Sequence, residues 1–184
     1  MTRARRTSIM RGMIRMPNHV EHDLHIYEYD ENDGVMEAFH KYWIQMMENA
    51  KIREEKLRGF QIKNWQRKRN GLPELPEPEV PISISMDLIP LTDLKWSCGG
   101  ALKQWGSKWG MYELECEEEN ELYTFETAWG PSFPLYLKLA EKFPTLNFTI
   151  CYFEGGMEFS GRSEYKNGKC ISKEEAPYFG RRGG

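Results

Sequence analysis

Apolar and polar side chains alternate along six short segments of the chain, and this alternation predicts six β-strands. In the longest, residues 19–29, Val20, His22, Leu24 and Ile26 would share one face. The other predicted strands are residues 82–88, 112–117, 122–129, 147–153 and 158–166. Polar or glycine turns join the third strand to the fourth and the fifth to the sixth, which predicts two hairpins.

A helical spacing follows the first strand. Apolar residues recur three and four apart from Met36 onward, which predicts a long amphipathic helix. Leu57 and Phe60 continue that seam, while Gly59 and the weaker pattern after it predict a break or a second short helix. Four prolines within residues 70–81 predict an extended linker.

Two shorter helices complete the predicted elements. Residues 94–105 form a short or irregular helix in this prediction, and residues 132–143 form a clearer one. Ser132 is a suitable N-cap for the second helix, and Pro144 ends it. The predicted order of strands and helices permits a split β-α-β arrangement with an antiparallel sheet.

Composition indicates a folded domain. The chain has 184 residues, of which 40% are hydrophobic and 13% aromatic, and this is enough to build one core. The net charge of -3 requires neither nucleic acid nor a membrane as partner. No apolar run is long enough for a membrane span or a secretory signal, so a cytoplasmic location is expected.

The four cysteines contain no C-x-x-C pair, so a zinc finger is not expected. Free thiols in a reducing cytosol are the simpler interpretation. Cys116 and Cys151 fall within predicted strands, where each would be a small core residue.

Three aromatic and glycine-rich clusters occur in order along the second half of the chain. They are W-G-S-K-W at residues 105–109, F-E-T-A-W-G-P at residues 125–131 and Y-F-E-G-G-M-E-F-S-G at residues 152–161. This order resembles the YubB-type ferredoxin-like family of small phage and plasmid proteins, over residues 16–169. The resemblance implies a mobile-element setting and the fold, but no reaction, because the family has no established activity.

The resulting fold prediction is an α+β protein. It has a ferredoxin-like split β-α-β antiparallel sheet with helices on one face, a long helix in its first half and extra hairpin strands. The domain would span residues 16–169, with the helix extension and proline-rich linker at residues 50–81 as an insertion. Residues 1–15 would be a basic tail, or a consequence of a start assigned upstream of Met16, and residues 170–184 a mobile tail.

An aromatic groove is the first candidate site. Indole rings from the aromatic clusters could line it, with one lysine and one glutamate as polar contacts. The alternative is that the rings plug the open end of the sheet and fix its loops. The candidate groove residues are Trp105, Lys108, Trp109, Trp129, Met157 and Glu158.

Two charged surfaces are further candidates. A basic helix could follow phosphates, with one indole as a stacking ring, or could be an ordinary solvated face. An acidic hairpin could meet a basic partner, or could protect a sheet edge from pairing. The basic candidates are Lys51, Arg53, Lys56, Arg58, Lys63, Trp65, Arg67, Lys68 and Arg69, and the acidic candidates are Glu113, Glu115, Glu117, Glu118, Glu119 and Glu121.

Neither a metal nor a cofactor is expected. His19, His22 and His25 have a metal-like spacing, but on a strand His22 faces away from the other two. His19 and His25 would then lie ~20 Å apart at ~3.3 Å per residue, too far to share an ion. The sequence contains no P-loop, no G-x-S-x-G elbow and no H-E-x-x-H, so no catalytic residue is assigned and the protein is expected not to be an enzyme.

The functional expectation is a non-enzymatic accessory protein that binds a host or phage macromolecule, with interference in a host defence system as one concrete form. Nucleic-acid binding by the basic helix at residues 40–69 is the alternative. Small-ligand binding or catalysis at the Trp105, Trp109 and Trp129 cluster is a third. A homo-oligomer through the helix at residues 35–60 is a further option, and whether that helix docks on the sheet or projects from it stays open.

Overall fold

The computed structural model describes residues 18–91, 98–117 and 121–177. These residues build a six-stranded antiparallel sheet and four helices. In chain order the elements are β1 (His19–Glu28), α1 (Val35–Arg69), α2 (Ile84–Leu88), α3 (Cys98–Trp105), β2 (Tyr112–Glu117), β3 (Leu122–Ala128), α4 (Phe133–Lys142), β4 (Asn147–Glu154), β5 (Phe159–Lys166) and β6 (Lys169–Pro177).

The strand order is β2-β3-β1-β4-β5-β6, with β1 at the centre between β3 and β4. The succession β1-α1-β2-β3-α4-β4 is the ferredoxin-like split β-α-β arrangement, and the β5–β6 hairpin widens the sheet on one side. The predicted fold class is therefore confirmed.

The alternation predicted for β1 places one face of the sheet in the core. Val20, His22, Leu24 and Ile26 are all buried, whereas the side chains between them point to the opposite face. The helices cover the buried face, and α1 and α4 contribute their apolar stripes to the same core. Among the described residues, no helix covers the other face of the sheet, which we call the open face.

Helix α1 docks on the sheet through its first third. Phe39, Trp43 and Met46 are its buried residues, and the Trp43 indole donates a hydrogen bond to the carbonyl of Glu115 at 3.1 Å. Phe39 meets the ring of Tyr123 edge-on, with 4.9 Å between centroids. These contacts pin the start of α1 against β2 and β3.

The rest of α1 extends past the sheet. Its 35 residues make a helix about 52 Å long, against about 33 Å for the ten residues of β1. Trp43 lies against Glu115, three residues from the start of β2 at Tyr112, so at about 1.5 Å per helical residue and about 3.3 Å per strand residue α1 passes that start before it reaches Glu54. The residues of α1 beyond Glu54 therefore overhang the end of the sheet where β1 and β2 begin. The structure thus answers the open question, because α1 both docks and projects.

The predicted linker is an extended segment that runs back along α1. We call residues 73–82 the strap. Its carbonyls at Pro73, Glu79, Pro81 and Ile82 accept hydrogen bonds from α1, and its Leu75 N–H donates to an α1 side chain. The partners on α1 are Arg67, Lys56, Arg53, Asn49 and Asn64, respectively.

The two antiparallel segments match in length. The nine steps along the strap from Pro73 to Ile82, at about 3.1 Å each, cover the same distance as the eighteen helical steps from Asn49 to Arg67 at about 1.5 Å each. Because prolines lack an N–H, the strap offers mainly carbonyls, and α1 supplies the donors. The overhanging part of α1 and the strap therefore form one two-layered unit, which we call the arm.

One predicted strand is wrong. Residues 82–88 alternate apolar and polar side chains, but residues 84–88 form helix α2. The Ser83 hydroxyl caps this helix by accepting from the Met86 N–H, and the buried Ser85 hydroxyl accepts from the Met111 N–H at 2.8 Å. The strand prediction placed Ser83 and Ser85 on a polar face. In the structure Ser83 caps α2, and Ser85 anchors it to the backbone of Met111.

Three further predictions need correction. α1 is continuous through Gly59, where a break was expected. Residues 169–177 form edge strand β6, although the sequence predicted a mobile tail from Cys170; residues 178–184 lie outside the described residues. Ser132 makes no N-cap hydrogen bond through its side chain, because its hydroxyl donates to Ser107 instead.

A buried polar group lies at the centre of the core. His22 is 1% exposed and stacks on Phe125 with 4.4 Å between ring centroids. The Tyr136 hydroxyl lies 2.6 Å from His22 Nε2, with which it forms a hydrogen bond, and it accepts another from the Ser132 N–H. Burial lowers the pKa of His22 to about 3, so the ring is neutral in the folded protein.

This burial predicts a loss of stability in acid. An unfolded histidine takes up its proton near pH 6.5, whereas folded His22 does not until about pH 3. Below pH 6 each further pH unit should therefore cost about 1.4 kcal/mol of unfolding free energy through this residue. Urea unfolding at several pH values should show His22→Gln flattening this slope and His25→Gln, on the exposed face, leaving it unchanged. Equal slopes in wild type and His22→Gln would contradict this account.

A glycine permits a close crossing near the sheet edge. Tyr152 on β4 lies across from Gly161 on β5, and its hydroxyl donates to the carbonyl of Glu174 on β6. A Cβ at position 161 would overlap both the Tyr152 hydroxyl and the Glu174 carbonyl. The side chain of Tyr152 thus reaches over β5 to hold β6.

Gly161→Ala should therefore destabilise the protein by about 1–3 kcal/mol, because Tyr152 must move from its site. Gly59→Ala is the matched control, since nothing lies within 4 Å of a Cβ there and alanine is favoured inside a helix by about 1 kcal/mol. Thermal and urea unfolding measure both variants. A Gly161→Ala protein as stable as wild type would show that Tyr152 does not need this space.

Candidate binding sites

The predicted groove residues gather at one end of the sheet. Strands β1, β2 and β5 begin there, and β3, β4 and β6 end there. Trp105 does not line a groove, because it is 3% exposed and its indole donates to the carbonyl of Ile89 at 2.8 Å. It is a core residue, as the alternative interpretation expected.

Lys108 lies between two indoles at this end. Its Nζ is 4.3 Å from the centroid of the Trp129 ring and 5.0 Å from that of Trp109. Its backbone N–H donates to the Ala128 carbonyl at 3.1 Å, which ties the W-G-S-K-W loop to the end of β3. We call Trp109 and Trp129 the indole clamp.

Trp129 is held in an unusual backbone conformation. Its φ is +76°, in the left-handed region that bulky side chains rarely adopt, and its N–H donates to the carbonyl of Asn18, whose φ is +78°. Its side chain is 43% exposed even so. Backbone strain of this kind clusters at active sites and ligand-binding positions.

Met157 and Glu158 lie in the turn that joins β4 to β5, at the same end. The carboxylate of Glu154 accepts from the N–H groups of Gly156 and Met157 and fixes this turn. The Met157 side chain is 57% exposed, and Glu158 has a left-handed φ of +58°.

Sequence reasoning missed three residues beside the clamp. The Tyr112 ring meets Trp109 edge-on with 6.0 Å between centroids, and the Tyr112 hydroxyl is 2.8 Å from His19 Nδ1. The same nitrogen is 2.8 Å from the carboxylate of Glu126. These side chains meet only through strand pairing between distant segments, so no local pattern in the sequence could group them.

The acidic candidates divide between surfaces. Glu121 accepts a hydrogen bond from the Tyr29 hydroxyl, and Glu113, Glu115 and Glu117 are exposed along β2. Partial burial and the neighbouring carboxylates of the sheet and of α1 raise the pKa of Glu113. Glu118 and Glu119 lie outside the described residues.

The open face of the sheet extends this acidic surface beyond the hairpin. Glu126 lies directly opposite Glu21 on β1, a pairing of like charges that costs stability. Glu164 accepts from the Tyr27 hydroxyl at 2.7 Å, and Arg162 lies 3.7 Å from its second oxygen. The acidic residues that strand pairing places on this face are Glu21, Asp23, Glu115, Glu117, Glu126, Glu164 and Glu174.

The basic candidates divide as well. Arg53, Lys56 and Arg67 donate to carbonyls of the strap, so these side chains hold the strap against α1. The strap also brings three glutamates to α1, and residues 40–81 then contain nine Lys or Arg against six Glu. The positive charge expected from α1 alone is therefore reduced by half.

A second face of the arm carries no strap contact. Lys51, Arg58, Ile62, Trp65 and Arg69 recur at intervals of seven, four, three and four, so they share one face of α1. The ring of Trp65 is 61% exposed, and the Arg69 guanidinium carbon lies 5.5 Å from its centroid. Lys63 lies instead beside the shallow groove between α1 and the strap, with Phe60, Leu75 and Pro76. Lys68 is also exposed.

The proposed homo-oligomer seam at residues 35–60 is partly occupied. Its first half, from Phe39 to Met46, packs on the chain's own sheet, so only the overhanging half can face a second copy. Within residues 18–91, 98–117 and 121–177, no three His, Cys, Asp or Glu side chains are grouped to hold a metal ion. No helix in the described part of the chain has the length and apolar character to cross a membrane.

Two comparisons with known proteins found a match, and the family model is the one that supports the fold. A family model described as "Ferredoxin-like domain in Api92-like protein" matches residues 108–178, which include β2, β3, α4 and β4–β6. The crystal structure of protein api92 from Yersinia pseudotuberculosis is similar at 15% identity with a TM-score of 0.43; the match covers 66% of this chain and 54% of that one. The chain thus spans about half the length of that relative. No curated protein matches the chain.

Proposed function

We propose that this protein is a non-enzymatic accessory protein of a phage or plasmid that binds a host or phage macromolecule through its arm. The observation that carries the proposal is the overhang of α1 beyond the sheet, braced by the strap. Interference with a host defence system in the bacterial cytoplasm is the specific form we favour. The ferredoxin-like domain in an Api92-like context is compatible with it and names no reaction.

The arm has the features of a protein-binding surface. It is preorganised, because the strap holds α1 from Asn49 to Arg67 and little ordering entropy is left to lose on binding. It exposes Ile62 and Trp65 at 50% and 61%, and Ile52 and Leu72 beside it are exposed at 43% and 50%. Tryptophan and arginine side by side, as at Trp65 and Arg69, are the residue types that contribute most to binding energy at protein interfaces.

Nucleic-acid binding by the same arm is the second candidate. Lys51, Arg58 and Arg69 could contact phosphates while Trp65 stacks on a base. The three strap glutamates and the three basic residues bound to strap carbonyls count against it, because they leave a small positive surface. The acidic open face of the sheet would also repel a polyanion.

A catalytic role receives less support from the geometry. The network that joins His22, Tyr136 and the Ser132 N–H is completely buried, so a substrate could not reach it. The second network, which joins His19, Tyr112 and Glu126 beside the clamp, is partly exposed and is the one of the two that a substrate could reach. Of the Trp105, Trp109 and Trp129 cluster, only the last two are available to a ligand.

The arm proposal predicts loss of partner binding when its apolar face is made polar. Ile62→Ser/Trp65→Ser should weaken capture of the partner from host lysate by at least about tenfold, since two exposed anchors are removed. Lys41→Ala is the matched control, because Lys41 lies on the docked part of α1 and pairs with Glu37. Pull-downs from nuclease-treated lysate, followed by titration with the purified partner, measure the effect.

Two outcomes would contradict it. If only nucleic acid is recovered and nuclease abolishes capture, the second candidate is correct. Binding should then fall steeply with salt and be lost in the Lys51→Glu/Arg58→Glu/Arg69→Glu variant. If the double serine variant binds the partner as wild type does, the arm is not the binding surface.

A further inference from the structure

The indole clamp already contains a cation. Lys108 Nζ lies over both rings, at the distances where an ammonium is attracted to the face of an indole. Within the described part of the chain, Lys108 has no carboxylate partner. Among the described residues its ammonium is therefore held by the two rings, and no ion pair there opposes its displacement.

The surroundings of the clamp favour positive charge. Tyr112 links Trp109 to His19 and Glu126, and the exposed carboxylate of Glu113 follows directly in the chain. Beyond Glu126 the open face of the sheet continues with further acidic residues. An anion approaching the clamp would meet these carboxylates, whereas a cation would be attracted by them.

The clamp is also exposed and fixed in place. Trp129 is 43% exposed and is anchored by its backbone hydrogen bond to Asn18. The backbone of Lys108 is anchored to Ala128, but its four-carbon side chain is free to swing away. The rings can therefore keep their positions while the cation between them is exchanged.

We propose that the indole clamp binds a lysine or arginine side chain of a basic protein segment, and that Lys108 is an internal occupant which the incoming cation displaces. The acidic open face of the sheet receives the rest of the basic segment. This site is separate from the arm and does not rest on the arm's function.

The proposal predicts the direction in which removal of the Lys108 side chain changes the affinity for the ligand. If that residue competes with the ligand, its removal must strengthen binding; if instead it binds an anionic ligand, its removal must abolish binding. An occupant that fills the clamp for eight to nine tenths of the time would weaken the apparent affinity about five- to tenfold. The sign of the effect therefore identifies the chemistry of the ligand.

The test is a titration with a ten-residue lysine-rich peptide, and with a glutamate-rich peptide of equal length, followed by the indole N–H resonances of Trp109 and Trp129. In Lys108→Ala and Lys108→Gln we expect the basic peptide to bind about five- to tenfold tighter than in wild type. Trp129→Ala in the Lys108→Gln background should abolish the gain. Lys103→Ala is the matched control, because it removes one exposed positive charge from α3 without touching the clamp.

Three results would contradict the clamp proposal. Unchanged or weaker binding of the basic peptide in both Lys108 variants would overturn the proposal, as would an equal gain in Lys103→Ala or preferential binding of the acidic peptide. The Ile62→Ser/Trp65→Ser protein should bind the basic peptide as wild type does. Loss of clamp binding and loss of arm binding are therefore separate failures.

Discussion

The packing of Phe39 and Trp43 against the aromatic residues of β3 is the contact from which the rest of the structure follows. Both side chains are completely buried, and Trp43 also satisfies its indole N–H at the carbonyl of Glu115. Truncating a buried ring of this kind costs about 3–5 kcal/mol, a large part of the stability of a small domain. These two residues fix the direction of α1 along the sheet. Since the helix is longer than the strands, its remaining residues must overhang.

An overhanging helix is marginal by itself in water, and the strap removes this difficulty. The proline-rich segment advances about twice as far per residue as the helix, and its carbonyls accept from Asn49, Arg53, Lys56 and Arg67 of α1. The same arrangement uses three basic side chains and adds three glutamates. A segment that looks strongly basic in sequence is therefore only weakly basic in the folded protein, and its distinctive feature becomes the exposed face around Trp65.

The sequence predicted the central elements well because β1–β5 and α4 each carry their own local pattern. The strand predicted at residues 82–88 was wrong, because alternation of apolar and polar residues cannot distinguish a strand from a short helix whose serines cap and anchor it. Strand β6 was missed because it has no buried face of its own and is defined by pairing with β5. The neighbourhood of the clamp was partly predicted: Trp109, Trp129 and Lys108 share glycine-rich loops, but His19, Tyr112 and Glu126 join them only through the sheet.

The protein thus presents two surfaces of different character at the same end of the sheet. One is the arm, with an apolar and weakly basic face; the other is the acidic open face with the indole clamp at its edge. The first surface depends on the arm being rigid and separate from the sheet, and amide hydrogen exchange tests this directly. We expect the α1 amides beyond Glu54 to be protected well above an isolated helix, and Asn64→Ala, which removes the bond to Leu75, to speed their exchange while residues 36–47 are unaffected. Unprotected amides beyond Glu54 in the wild type, or protection that does not change in Asn64→Ala, would contradict a strap-braced arm.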